Sequence, residues 1–205
     1  GSRIAVAVTR QAPSHRAGSV SYSELWLYDV EGDRVGPGRR LTTGGRLWHP
    51  ALSADGSRLV AVERRGSYSR LVEVDTDTGT VQVLHEPERA SVYTPRIAPD
   101  GTRIVFVEHS RGFQDVMLLE EGQGGAENRV RPLGARTRAG EYLPRFADGD
   151  TLLYSSDRDG RLSLYSYHLP SETETLLVED RIAAWAGVQV GDRLLYGSYA
   201  SEGYT

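Results

Sequence analysis

The chain has 205 residues, of which 39% are hydrophobic and 25% are charged, with a formal net charge of −4. This acidic balance argues against a broad nucleic-acid surface, which needs concentrated positive charge. The absence of cysteine excludes disulfides and thiolate metal sites, and no apolar run approaches the roughly 20 residues needed to span a bilayer.

A turn of the type Asp-Gly followed by an apolar run recurs along the chain. It occurs at Asp55-Gly56, Asp100-Gly101 and Asp148-Gly149, and Gly191-Asp192 repeats it with the order reversed. Glycine tolerates the positive φ of a tight turn, and the apolar run after it is typical of a buried strand. Because the copies return at intervals of about 45 residues, they predict one supersecondary unit used repeatedly.

The first unit in chain order is incomplete. Residues 4–9, 23–30 and 39–42 are predicted to form the second, third and fourth strands of a unit. The polar segment 9–22 is interpreted as an unusually long loop between the first two of these strands.

Three complete units follow, and a last unit has only its first two strands. Pro50, Pro95 and Pro144 are each expected just before a first strand, because proline lacks the N–H that a strand interior uses. The second strand at 58–63 is apolar enough for burial on both faces, and 64–69 is interpreted as a polar loop. The predicted strands are 49–53, 58–63, 70–75 and 80–85; 93–97, 104–107, 115–119 and 128–133; 142–146, 152–155, 162–168 and 173–178; and 183–190 and 193–198.

Four antiparallel strands in about 45 residues form one blade of a β-propeller. We therefore predict an all-β fold, a β-propeller of four-stranded antiparallel blades, with residues 1–205 forming a single propeller region. Full blades are expected at about 48–90, 91–138 and 139–181, with partial blades at about 1–47 and 182–205. Partial blades leave open edges. A fragment of a propeller of about six to eight blades would account for them, as would ring closure within this chain or assembly of two chains.

Two stretches carry a resemblance to a known family. The segment from Ser155 to Tyr165 reads Ser-Ser-Asp-Arg-Asp-Gly-Arg-Leu-Ser-Leu-Tyr, and Glu24 to Asp29 reads Glu-Leu-Trp-Leu-Tyr-Asp before Arg39-Arg40-Leu41-Thr42. These units resemble the TolB-like (WD40-like) β-propeller repeat family over nearly the whole chain. The departures are Ala54 at the position of a turn proline, a shortened turn at Asp148, and the reversed Gly191-Asp192.

The resemblance implies several functions, because one fold hosts many. Blades of this family occur in periplasmic TolB, in gating domains of prolyl-oligopeptidase-like enzymes, in an oligogalacturonate-lyase-like group, and in lipoproteins. The leading interpretation is a non-catalytic protein–protein interaction scaffold, periplasmic or associated with the cell envelope of a bacterium. The alternative is the gating or substrate-binding portion of an enzyme.

Motifs for chemistry are weak in this sequence. Gly18-Ser19-Val20-Ser21-Tyr22 lacks the closing glycine of a nucleophile elbow, so no catalytic residue is predicted. Asp157 to Gly160 lacks the distal glutamate of a calcium loop and is interpreted as a reverse turn. The five histidines show no close ligand spacing, so no metal or cofactor is predicted, although the lyase resemblance leaves a site shared by His49 and His109 as an alternative.

The best candidate site lies on one face of the propeller. Loops after second strands share that face with the segments leading into the next first strand, since strands alternate in direction. Arginines interleaved with aromatic residues suit recognition of a carboxylate or an extended peptide, and a solvated surface is the alternative. The partner expected is a protein or peptide, not nucleic acid, with self-association through open edge blades as a further possibility. The candidate binding residues are His15, Arg16, Trp48, His49, Arg64, Arg65, His109, Arg111, Phe113 and Arg158.

Overall fold

The structure is a computed structural model that describes residues 2–13, 19–122, 124, 127–134, 138–180, 182–200 and 203–204. His15 and Arg16, both predicted for the site, lie outside these ranges. The chain forms two compact units, Gly1–Ile97 and Ala98–Thr205, and each is described by itself.

The first unit contains nine strands. The hairpin β1–β2 is joined by two short strands, β3 and β4, which both pair with β2, and β5 to β8 form a meander in chain order. The strands are β1 (Ser2–Pro13), β2 (Ser19–Glu31), β3 (Arg34–Val35), β4 (Arg39–Arg40), β5 (Leu47–Leu52), β6 (Leu59–Arg65), β7 (Tyr68–Val74), β8 (Val81–His85) and β9 (Ser91–Ile97).

The second unit contains the remaining strands. Here β10 to β12, β13 to β16 and β17 to β19 each follow one another as antiparallel neighbours. The strands are β10 (Arg103–Ser110), β11 (Phe113–Glu120), β12 (Arg129–Pro132), β13 (Glu141–Phe146), β14 (Thr151–Ser156), β15 (Ser163–His168), β16 (Thr173–Val178), β17 (Ala183–Val190), β18 (Arg193–Ala200) and β19 (Gly203–Tyr204).

Within the described ranges every named element is a strand, four sheets have four strands, and one has three. The predicted all-β architecture of four-stranded antiparallel sheets is therefore confirmed. The second strands are buried on both faces as predicted: Leu59, Val60, Ala61 and Val62 of β6 are all at most 3% exposed. Such double burial is what sheets packed on both sides require.

Each unit has its own apolar cluster. In the first, Leu25 and Leu47 pack with Leu59 and Val72, which brings β2, β5, β6 and β7 together. In the second, Val105, Val116, Leu152 and Tyr165 join β10 and β11 to β14 and β15. Strands from successive sheets therefore share a core within each unit.

The Asp-Gly turns behave as the sequence predicts. Asp55 accepts the backbone N–H of Ser57 at 3.0 Å, and Asp100 accepts that of Thr102 at 2.9 Å. Hydrogen bonds from Ser53 and Ser57 lower the pKa of Asp55 to about 2, because they stabilise the ionised carboxylate. These carboxylates are turn formers.

The predicted long loop at 9–22 is wrong for the described residues. Pairing between β1 and β2 continues through Thr9↔Ser23 to Pro13↔Ser19, so residues 9–13 and 19–22 belong to paired strands. This pairing was missed because the sequence of the segment is largely polar, while the strand is held by backbone hydrogen bonds that leave no hydrophobic pattern. The polar loop at 64–69 is likewise shorter than expected, since β6 ends at Arg65 and β7 begins at Tyr68.

The placement of three prolines just before a first strand is wrong, although the strands predicted at 49–53, 93–97 and 142–146 contain them. Pro50, Pro95 and Pro144 lie inside β5, β9 and β13. The register between β5 and β6 shifts between Trp48 and Ala51, so the residues of the two strands no longer pair one to one there. This is a β-bulge, where an unpaired residue can lack its N–H without cost to the ladder.

Candidate functional site

A cleft in the first unit brings several of the predicted residues together. Its walls come from the start of β5, the β6–β7 hairpin and the start of β9, and it encloses about 400 Å³. The predicted residues Trp48, His49 and Arg64 all line it. The other lining residues are Val62, Ser67, Tyr68, Ser69, Ser91 and Tyr93.

The backbone bulge determines where the His49 side chain lies. His49 has a φ of 47°, in the left-handed region, although the residue before a proline normally adopts an extended conformation. The same left-handed conformation recurs at Thr94, Leu143 and Ala186, at the corresponding place in each following first strand. Since the strained position recurs with four different side chains, the strain is a property of the repeat and not of one site.

His49 is held in place by its neighbour in the next first strand. Its Nδ1 accepts the backbone N–H of Thr94 at 3.3 Å, and its ring centroid lies 6.4 Å from that of Tyr93. Partial burial, followed by the positive charge of Arg96, lowers the pKa of His49. A neutral ring that accepts at Nδ1 carries its proton on Nε2, which leaves a donor for a ligand.

Ser69 fixes one wall of the cleft. Its hydroxyl donates to the carbonyl oxygen of Val92 at 3.0 Å and accepts the N–H of the same residue at 2.8 Å. β7 and β9 are therefore tied to each other beneath the cleft. Most of the lining residues belong to strands, and Ser67 comes from the β6–β7 turn.

Arg64 and Arg65 end β6 at the mouth of this region. The Nε of Arg64 donates to the carbonyl oxygen of Gly66 at 3.2 Å, which anchors the guanidinium over the turn. Tyr68, which is 46% exposed, pairs with Arg65 across the hairpin. Arg65 lies on the adjoining side, in a second depression that Glu86 and Glu88 also line.

Three further predicted residues meet at one hairpin in the second unit. His109 pairs with Gln114, and Ser110 pairs with Phe113. Arg111 and Gly112 form the two-residue turn, with φ values of 54° and 87°, as a type I′ turn requires. Phe113 is 38% exposed, so an aromatic ring and an arginine are displayed together.

Arg158 occupies a different environment from the other predicted residues. Its Nη2 donates to Glu141 Oε1 at 3.1 Å, its Nη1 pairs with Glu174, and its guanidinium lies 4.5 Å from the Tyr165 ring centroid. Its donors are thus engaged within the second unit. Glu141 also accepts the N–H of Val116 at 2.9 Å.

This buried cluster was missed from the sequence. Burial raises the pKa of Glu141 to about 7, an effect that the Val116 N–H and Arg158 oppose. Burial outweighs the attraction of Arg158, and the negative charges of Asp115 and Glu174 raise the pKa of Glu141 further. The only sequence signal was the turn around Arg158, since its partners lie 17 and 16 residues away.

Other candidate chemistry is limited. Among the described residues, no group of three or more His, Asp or Glu side chains could hold a metal ion. His168 Nδ1 lies 2.7 Å from Ser171 Oγ, but the two residues are three apart in a turn and make a local contact. No helix in the described parts of the chain is long and apolar enough to cross a bilayer.

Comparison with curated proteins gives partial matches. The chain is 29% identical over 146 residues to the Tol-Pal system protein TolB of two strains of Cereibacter sphaeroides, which covers 58% of this chain and 33% of the relative. It therefore spans about a third of the length of these relatives.

Solved structures share the fold. TolB from Acinetobacter baumannii matches with a TM-score of 0.73 and 18% identity, over 98% of this chain and 48% of that chain. A Mycobacterium tuberculosis puromycin-hydrolyzing peptidase matches with a TM-score of 0.64 and 15% identity, over 95% of this chain and 37% of that chain. Identities this low carry the fold alone.

A family model identifies the family. The model of the lipoprotein LpqB β-propeller domain matches residues 5–141, more than half of the chain. That span contains the cleft and the Asp-Gly turns at 55–56 and 100–101. The chain belongs to the lipoprotein LpqB β-propeller domain family and has a TolB-like propeller fold.

Proposed function

We propose that this chain is a non-catalytic protein-binding scaffold in a bacterial envelope or exported protein. The observation that carries the proposal is the cleft in the first unit, which Trp48, Tyr68 and Tyr93 line together with Arg64. Tyrosine, tryptophan and arginine are the residue types enriched at the energetic centres of protein interfaces. The relatives support the cellular setting, since one is described as a lipoprotein and another as part of the Tol-Pal system.

The mechanism is display of a preformed surface. The cleft walls are strands tied together by Ser69 and Val92, so little backbone order has to be gained when a partner binds. Binding to a preordered site avoids part of the entropy cost of association. A static cleft of this kind suits capture of a partner segment more than chemistry.

Site-specific crosslinking tests the proposal. A photoreactive phenylalanine analogue at position 68, in place of the exposed Tyr68, should form a covalent adduct with a partner protein in the native cells. The same analogue at position 35, in place of Val35 (59% exposed) on β3 of the same unit, is the matched control. Adducts at both positions, or at neither, would contradict a partner site at the cleft.

Charge removal gives a second readout. Replacing Arg64 and Arg65 together with Gln should weaken capture of the crosslinked partner about tenfold, while the urea midpoint of unfolding stays unchanged. These side chains are exposed, so their loss should cost little stability. Equal losses of capture and stability would make the arginines structural.

A second candidate is the propeller portion of an enzyme. The match to the puromycin-hydrolyzing peptidase, over 95% of this chain, favours it specifically. In that case the propeller would gate or position a substrate for a separate catalytic domain. A hydrolase domain encoded in the same reading frame, together with peptidase activity of the whole protein, would favour this candidate over the scaffold.

A further inference from the structure

We infer that the cleft reads a carboxylate: its ligand is an extended protein segment in which an Asp or Glu side chain lies next to an apolar side chain. This rests on the proposed function, since it names the chemistry of the partner for the same cleft. Nothing in the family description or in the names of the relatives assigns such specificity.

The charge of the cleft is the first argument. The chain as a whole carries a net charge of −4, yet none of the described residues that line this cleft is an Asp or a Glu. Arg64 lies on its wall. The cleft therefore offers an anion an arginine with no lining carboxylate among the described residues.

The partners of Arg64 are the second argument. Two other arginines of the same unit form ion pairs with carboxylates: Arg58 pairs with Glu73 at 2.8 Å, and Arg70 pairs with Glu63 at 2.7 Å. Arg64 uses only its Nε, on the carbonyl oxygen of Gly66, and no carboxylate pairs with it among the described residues. Its two terminal NH₂ groups keep the parallel donors that bind a carboxylate in a bidentate manner.

The aromatic walls decide between kinds of anion. Trp48, Tyr68 and Tyr93 line the same cleft as Arg64, and an aliphatic or aromatic side chain of the ligand would cover their rings. A free phosphate would use none of this area and usually takes several backbone N–H donors. The arrangement thus favours a carboxylate that has an apolar neighbour on the same chain.

The Nε2 donor of His49 adds a second polar contact. Since Nδ1 is occupied by the Thr94 N–H, the neutral ring points its remaining donor away from that bond. A carbonyl or carboxylate oxygen of the segment is the natural acceptor. One guanidinium and one neutral donor beside aromatic walls are sufficient to orient an extended peptide.

Two matched peptides test this inference. An acetylated, amidated pentapeptide of sequence Ala-Leu-Glu-Leu-Ala and its counterpart with Gln in the centre are titrated into the isotope-labelled full chain, with binding followed by backbone amide shifts. The Glu peptide should shift the resonances of residues 64–69 and 93 in a saturable way and bind about tenfold more tightly than the Gln peptide. Raising the salt from about 0.15 to about 0.5 M should reduce that difference.

Variants assign the effect to one side chain. Arg64→Gln should abolish the preference for Glu over Gln, and Arg34→Gln, which removes an exposed arginine of β3 in the same unit, should leave it intact. Retention of the preference in Arg64→Gln would overturn the inference. So would equal binding of the two peptides, or no binding of either.

The two proposals can fail separately. If an adduct forms at position 68 but the Glu and Gln peptides bind alike, the cleft binds protein without reading a carboxylate, and only the inference is lost. If no adduct forms at position 68, the proposed function falls, whatever the peptides do.

Discussion

Replacing Arg158 with Met should destabilise the second unit by about 3 kcal/mol at about pH 7.5. The side chains of Arg158 and Glu141 are only 20% and 6% exposed, and removing one partner of a buried pair costs roughly 3–5 kcal/mol. The lower end applies because Glu141, whose pKa is already raised to about 7, can take up a proton once the cation is gone. Loss of the contact with the Tyr165 ring contributes about 1 kcal/mol of this total.

The assay separates charge from packing. Urea unfolding is followed together with hydrogen exchange of peptides from β13 to β15. At about pH 5 the cost of Arg158→Met should fall to about 1 kcal/mol, because the uncompensated carboxylate is then neutral. Adding Glu141→Gln to Arg158→Met should recover about 2 kcal/mol at about pH 7.5, since the introduced amide carries no charge and its oxygen can still accept the Val116 N–H.

Arg161 provides a matched control on the same loop. It pairs with Glu179, but the two side chains are 47% and 46% exposed, so Arg161→Met should cost less than about 1 kcal/mol. If Arg158→Met costs no more than Arg161→Met at the higher pH, or costs the same in the Glu141→Gln background, the buried-pair reasoning is refuted. Arg158 would then be available for binding as the sequence predicted.

Two further outcomes follow from the described geometry. Gly79→Ala should destabilise the first unit by more than about 3 kcal/mol, because a Cβ at φ +74° would lie 2.0 Å from the carbonyl oxygen of Leu41. Gly32→Ala, at φ +59° with no atom within 4 Å, should cost only about 1 kcal/mol in the same urea titration, and equal costs would contradict the close approach. Glu141 has a folded pKa of about 7, above its ordinary value of 4.5, so its contribution to stability is fully present below pH 4.5 and is lost as the pH rises through 7. The free energy of unfolding in urea titrations should therefore fall by at most about 3 kcal/mol between about pH 5 and about pH 7.5. Glu141→Gln should reduce this pH dependence. A free energy of unfolding that rises with pH in the wild type would show that the carboxylate is stabilised in its charged form.

The fold could be predicted from the sequence where local and global signals agree. The first four positions of β6 are all apolar because both faces of the strand are buried there, and the aspartates of the Asp-Gly turns bond their own backbone. These features depend on neighbours within a few residues. They are visible in one sequence without knowledge of packing.

The failures have a common physical origin. Residues 9–13 of β1 and 19–23 of β2 are paired through their backbones, and such pairing leaves no pattern of apolar side chains in the sequence. The bulge at Pro50 is a matter of register between strands, and the partners of Arg158 come from strands that only folding brings close. For the site, residue type and face predicted the cleft members Trp48, His49 and Arg64. Tyr68 was missed because its place depends on where the β6–β7 hairpin ends, and Tyr93 because it comes from the separate strand β9.

The left-handed residue at the start of each first strand separates architecture from recognition. Its unusual backbone torsion is imposed by the surrounding ladder, so His49, Thr94, Leu143 and Ala186 all adopt it. The repeat thus accommodates a basic ring, a hydroxyl, an aliphatic chain and a methyl group at this position. Substitution of this one residue in a repeat can therefore change what the molecule contacts, while the strands that hold the residue stay the same.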